Sequence, residues 1–179
     1  MDNSKYLFNF QRELDKIDKD FQKNYNFKAL HKSIEYRKSL LDLQKLVEWC
    51  SSKKVTVHFK NDRSKFLADE KIIIINKYKS TTNKLHTLLH ECGHFLIDQA
   101  RDRNERVYNI KFGHGYEFFD DKKKNKTVTH KIDILSEEIE AWNRGYSLAL
   151  RLNINLNKDD FDKEKATAIK TYAFWASHS

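Results

Sequence analysis

Residues 90 to 94 read His90-Glu91-Cys92-Gly93-His94, and they constrain this chain more than any other short stretch. Two imidazoles four positions apart meet only on an α-helix, where 3.6 residues per turn stack i and i+4 on one face. An extended strand would hold them about 13 Å apart. On a helix, His90 and His94 can grip one metal ion between them. Glu91 then lies one step round the helix, within reach of a water on that ion. Two neutral imidazoles suit zinc, and the pattern H-E-x-x-H pairs such a site with a carboxylate able to act as general base.

The flanking residues support the helix. Ser80-Thr81-Thr82-Asn83 is a run of good N-cap residues. Leu85, Leu88, Leu89, Cys92, Phe95 and Leu96 follow at spacings of three and four, which predicts an amphipathic helix through Ile97. Gly93 costs about 1 kcal/mol inside a helix relative to alanine, so its presence suggests that another backbone or a substrate passes close by. Cys92 lies two positions from each histidine and points away from their face, as a small buried apolar residue would. Cys50 is the only other cysteine. A disulfide framework is therefore not expected, and a reducing, cytoplasmic setting fits better.

The whole chain, of 179 residues with 39% hydrophobic and 34% charged, suits one compact domain with a modest core. No apolar run approaches the ~20 residues needed to span a bilayer, so no membrane association is expected. The first ten residues lack the pattern of a secretory signal. With no proline and four glycines, long proline-rich or glycine-serine linkers are absent. The first fifty residues read as helical, with a break near Asn24 to Asn26. Val55 to Phe59 alternates as a half-buried strand does, and Lys71 to Asn76 is a β-branched run; Asn61 to Ser64 between them is turn-like. Residues 101–130 show no clear period. Helices are expected again over 132–150 and about 159–176. The expected fold is α+β and mostly helical, a single domain over 1–179 with a small β-sheet beside the helix of the motif. Within it, 1–50 form a helical N-terminal part, 51–152 the zinc core and 153–179 a C-terminal helix.

A catalytic zinc takes three protein ligands and leaves a fourth position open. The metzincin spacing would need a glycine and a histidine where this chain has Ile97 and Ala100, so it is excluded. His114 and His130 remain as histidine donors. Glu138 is the stronger candidate, because it shares a helical face with Ala141, Trp142, Gly145 and Ala149, a stripe suited to packing on the zinc helix. Burying a carboxylate there is costly unless it is paired, and a metal would pair it. Glu137 ranks next, and Glu140 points elsewhere. Asp98, one turn after His94, is a candidate to orient that imidazole. His114, Tyr116 or His130 could stabilise developing negative charge.

Leu88-Leu89-His90-Glu91-Cys92-Gly93-His94, followed by Glu138-Ile139-Glu140-Ala141, resembles the ImmA/IrrE-like metallo-endopeptidases. These are small intracellular proteins of bacteria, phages and mobile elements. The resemblance covers roughly residues 50–150. It implies a zincin-like fold of the gluzincin type, with His90, His94 and Glu138 as zinc ligands and Glu91 as catalytic base. The interval from His94 to Glu138 is long for the family. After Ala141 the usual asparagine is replaced by Trp142, so the ligands carry over more directly than the substrate does.

Zinc-dependent hydrolysis of a peptide bond in an intracellular protein, with a regulator as one candidate, is the function these readings favour. Two others compete. The formal net charge of +8 favours acidic partners. Lys122-Lys123-Lys124 and Lys126, with Tyr108, Phe112, Tyr116, Phe118 and Phe119 nearby, suit a nucleic-acid-binding module. A purely structural zinc is the third reading, but such sites are usually closed by four ligands rich in cysteine. The sequence leaves the oligomeric state open.

Overall fold

A chain without proline and with few glycines must end its helices by other means, and side-chain and backbone caps do this. The computed structural model describes residues 9–23, 27–103 and 128–178. Its elements run α1 (Phe10–Lys23), α2 (Phe27–Ser52), β1 (Thr56–Lys60), β2 (Lys65–Leu67), β3 (Ile72–Asn76), α3 (Thr81–Arg103), α4 (Val128–Arg151) and α5 (Lys158–His178). The expected break at Asn24–Asn26 and most of the aperiodic stretch, with its lysine run, His114 and Tyr116, lie outside the described residues.

Ser80 caps α3. Its hydroxyl accepts the Asn83 N–H at 3.2 Å and its carbonyl accepts that of Lys84 at 2.8 Å. Asn157 caps α5, its side-chain oxygen accepting the N–H groups of Asp159 at 3.1 Å and Asp160 at 3.2 Å. At their C-termini α2 and α4 end on residues of positive φ, Lys54 at 61° and Asn153 at 49°. A backbone bond wraps each end, from Val55 N–H to Cys50 O at 3.0 Å and from Ile154 N–H to Ala149 O at 2.9 Å.

The chain divides into two compact units. The first comprises Met1–Leu89 with Ala149–Asn155. There α1 lies on α2, with the Tyr36 hydroxyl donating to Glu13 Oε2 at 3.3 Å and Arg37 paired with Asp18 at 2.9 Å. α2 also packs on β1. The sheet order is β1-β3-β2, β1 parallel and β2 antiparallel to β3, with Val57 opposite Ile73 and Phe66 opposite the same residue. The two expected strands are present; β2 is an addition, carved from residues too few to show a period. Val57, His58 and Phe59 are all buried, so β1 is covered on both faces, as parallel pairing favours, and His58 does not face solvent as alternation suggested. Burial and the nearby Lys60 charge both hold the His58 imidazole below its usual pKa. α2 also caps the residue run after α4: Lys45 donates to the carbonyls of Leu152 and Asn153 at 3.1 and 3.3 Å, and Asp42 accepts the Asn155 N–H at 3.1 Å.

The second unit comprises His90–Leu148 with Leu156–Ser179. α4 and α5 run antiparallel in it. Lys131 Nζ donates to Ala176 O at 3.1 Å near one end, Trp142 meets Phe161 edge-on at 5.1 Å, and Lys165 donates to Asn143 at 2.7 Å. Cys92, Phe95, Ile97, Ile134, Ala141 and Phe161 belong to its core. α3 departs from the amphipathic expectation: every residue from Lys84 to Phe95 is buried, polar ones included. No described helix is long and apolar enough to cross a membrane.

Candidate metal centre

α3 and α4 touch backbone to backbone, and glycine makes this possible. A Cβ added at Gly93 would stand 1.9 Å from the carbonyl oxygen of Ala141, 2.6 Å from its carbonyl carbon and 2.8 Å from its Cα. This is the close backbone approach that a glycine inside the motif suggested. His90 and His94 flank Gly93, and Glu138 lies one turn before Ala141, so the contact brings all three together.

The resulting cluster is tight. His90 Nε2 and His94 Nε2 are 3.2 Å apart. Glu138 Oε2 lies 3.3 Å from His90 Nε2, and Glu138 Oε1 lies 3.5 Å from His94 Nε2. One donor atom from each residue falls within 4.8 Å of the others, and among the described residues this is the one such group of three. The set fits a metal ion. Donors about 2.0–2.2 Å from one tetrahedral zinc stand roughly 3.3–3.6 Å from one another, close to the separations found. Glu138 is 1% exposed, deep enough that an ionised carboxylate needs compensating charge.

Electrostatics bind the cluster to itself. Burial pulls the His94 imidazole down, but hydrogen bonds to Glu137 and Glu138 and the charges of Glu138 and Glu91 outweigh this and raise it to about 10. Burial pushes Glu138 up, and the two imidazoles more than reverse that, holding it far below the usual carboxylate range. A proton therefore rests on His94 when no cation is present, and a metal would replace it.

Neighbouring groups fix the geometry. Glu137 Oε1 lies 3.6 Å from His94 Nδ1, the position of an orienting carboxylate. Glu137, the other candidate ligand on α4, is not in the group of three. Asp98 is half-buried on α3. Glu140 receives Arg144 Nε at 2.8 Å, and Arg144 also donates to Leu96 O at 3.1 Å, tying α4 to α3. His90 stacks on Trp142, ring centroids 4.6 Å apart and planes 29° from parallel. Glu91 is buried beside the pair at 5% exposure. His130 is buried in the first turn of α4 and is not in the group of three.

Residues 50–121 match the peptidase family M78 model, described as an IrrE N-terminal-like domain. The match supports an ImmA/IrrE-like metallopeptidase assignment for that stretch. The matched stretch runs from the end of α2 past α3, and so includes His90, Glu91 and His94 but stops before Glu138. No curated protein and no solved structure matches the chain significantly. The α4 half of the cluster is therefore read from geometry alone. Sequence reasoning passed over the stacking of Trp142, the pairing of Glu137 with His94 and the reach of Arg144 to Leu96. The Glu137-Glu138 doublet was the available signal for the second.

Proposed function

We propose that the protein is a zinc-dependent metallo-endopeptidase, with His90, His94 and Glu138 as zinc ligands and Glu91 as general base. The observation that carries this reading is the convergence of His90 Nε2, His94 Nε2 and the Glu138 carboxylate at 3.2–3.5 Å. Three protein donors including a carboxylate are the complement of a catalytic zinc rather than a structural one. Zinc, when bound, supplies a Lewis acid that polarises the peptide carbonyl and lowers the pKa of water. Glu91 takes a proton from the water as its oxygen attacks the carbonyl carbon. As the C–N bond breaks, Glu91 returns that proton to the leaving amine. Glu137 holds His94 in orientation, and the buried setting strengthens each of these interactions.

The substrate is a protein or peptide, within which a regulatory protein of the same cell is our leading class. Cys50 and Cys92 are both buried and form no disulfide, in keeping with a reducing, cytoplasmic compartment. The charge of +8 supports a compatible second role. A basic surface would bring the enzyme to nucleic acid and to proteins bound there, and such binding would weaken steeply with salt while surviving chelation.

Elemental analysis of the purified chain should find close to one zinc per molecule. Glu91→Gln should keep the metal and lose the cleavage of a degenerate peptide library read by mass spectrometry. A chain that holds no zinc and takes up none on incubation would overturn the proposal.

A further inference from the structure

The two imidazoles of the cluster are supported in different ways. His94 Nδ1 has Glu137 Oε1 at 3.6 Å. His90 Nδ1 is buried and has no hydrogen-bond partner among the described residues. A metal-binding imidazole normally gives its second N–H to a carboxylate or carbonyl, which fixes the ring. Without that acceptor, the broad χ2 torsion of His90 needs another restraint.

Trp142 supplies a flat one. Its indole lies 4.6 Å from the His90 ring at 29°, and it is 3% exposed. Phe161 of α5 meets the indole edge-on at 5.1 Å and 71° and is itself fully buried. The indole Nε1 also has no hydrogen-bond partner among the described residues, so it is the face of Trp142, not its N–H, that engages its surroundings. Offset-stacked and edge-to-face pairs are the favoured aromatic geometries, and the chain Phe161–Trp142–His90 uses both.

We propose that Trp142 is the positioning residue for His90, its indole face fixing the imidazole plane so that Nε2 meets the other donors, with Phe161 holding the indole in place. The role rests on the metal-site reading above. It predicts that the two histidines are held by unlike devices, a carboxylate for His94 and a stack for His90.

Zinc affinity of the full-length chain, measured by competition with a chromogenic chelator, tests the role. Trp142→Leu should bind zinc about 10- to 100-fold more weakly, the loss typical of removing a ligand's support. Trp142→Phe, which keeps an aromatic face, should restore most of the affinity. With cobalt(II) as probe, the visible spectrum should change in Trp142→Leu and stay close to the unaltered one in Trp142→Phe. A residue that merely fills the core would lower the melting temperature of Trp142→Leu and leave its zinc affinity and cobalt spectrum alone; that result would overturn the proposal. Should Trp142→Leu fail to fold, Phe161→Leu carries the test, with weaker zinc binding in support and unchanged binding against. If the unaltered chain binds no zinc, the metal site itself is refuted and this role with it. If it binds zinc and Trp142→Leu binds equally well, only the positioning role falls.

Discussion

Glu137 and Glu138 are neighbours in the chain, both nearly inaccessible to solvent at 2% and 1%, yet they meet different atoms of the same imidazole. Glu138 reaches His94 Nε2 and His90 Nε2, while Glu137 reaches His94 Nδ1. Their side chains leave the helix about 100° apart, and this small difference separates a donor to the cluster from a support behind it. Removing the support leaves the donors in place. Glu137→Gln is therefore expected to fold normally and to bind zinc about 10- to 100-fold more weakly. Glu138→Gln should lose nearly all tight binding, because a neutral amide neither ligates zinc well nor balances its charge. Chelator competition on both variants checks the order, and equal affinity for Glu137→Gln and the unaltered chain would refute the supporting role. The stripe of Ala141, Trp142, Gly145 and Ala149 was enough to rank Glu138 above Glu137 from sequence. What lay beyond reach was the use of the second carboxylate, since that depends on the rotation of a histidine ring and not on helix spacing.

At the scale of elements, the site depends on how closely α3 and α4 approach. Alanine at position 93 would gain about 1 kcal/mol in helix propensity. It would also place a carbon 1.9 Å from a backbone carbonyl oxygen, and backbone cannot swing aside as a flexible side chain can. The helices must part, and overpacking of this kind costs about 1–3 kcal/mol or more. Gly93→Ala is accordingly expected to melt several degrees lower, roughly 3–10 °C for a chain of this size. It should also bind zinc more weakly, because Glu138 lies one turn from the collision. A thermal melt and a zinc titration check both effects; a higher melting temperature would mean that propensity outweighs contact. The elements themselves were well marked in the sequence. Ser80 caps the helix that its neighbours suggested, and both expected strands appear. β2 escaped notice because Lys65-Phe66-Leu67 is too short for alternation to register. The amphipathic reading of α3 failed for a physical reason: hydrophobic periodicity counts apolar side chains, and here the polar face holding His86, His90, Glu91 and His94 is buried as well.

For the whole molecule, a metal held as proposed at the cluster would couple folding to both protons and metal. His94 is raised from 6.5 to about 10 in the folded state. Its contribution to the metal-free fold is complete below pH 6.5 and is lost as pH rises through about 10. Glu138 is depressed below 4.5, so its contribution is present above pH 4.5 and lost as pH falls through the lower folded value. From this pair alone, the metal-free protein is best supported between pH 4.5 and 6.5. Zinc bound as proposed would change the dependence, because it must displace the proton on His94 before it can bind. One displaced proton makes apparent affinity rise about tenfold per pH unit, or about 1.4 kcal/mol of added stability under saturating zinc. The rise in melting temperature on adding zinc is thus expected to be small at pH 6 and progressively larger at pH 7 and 8, and stripping the metal with a chelator should cost more stability at pH 8 than at pH 6. Paired thermal melts with and without zinc across that range test the linkage. A zinc-induced shift of the same size at pH 6 and pH 8 would show that no proton is displaced, and that the imidazole of His94 is not where the metal enters.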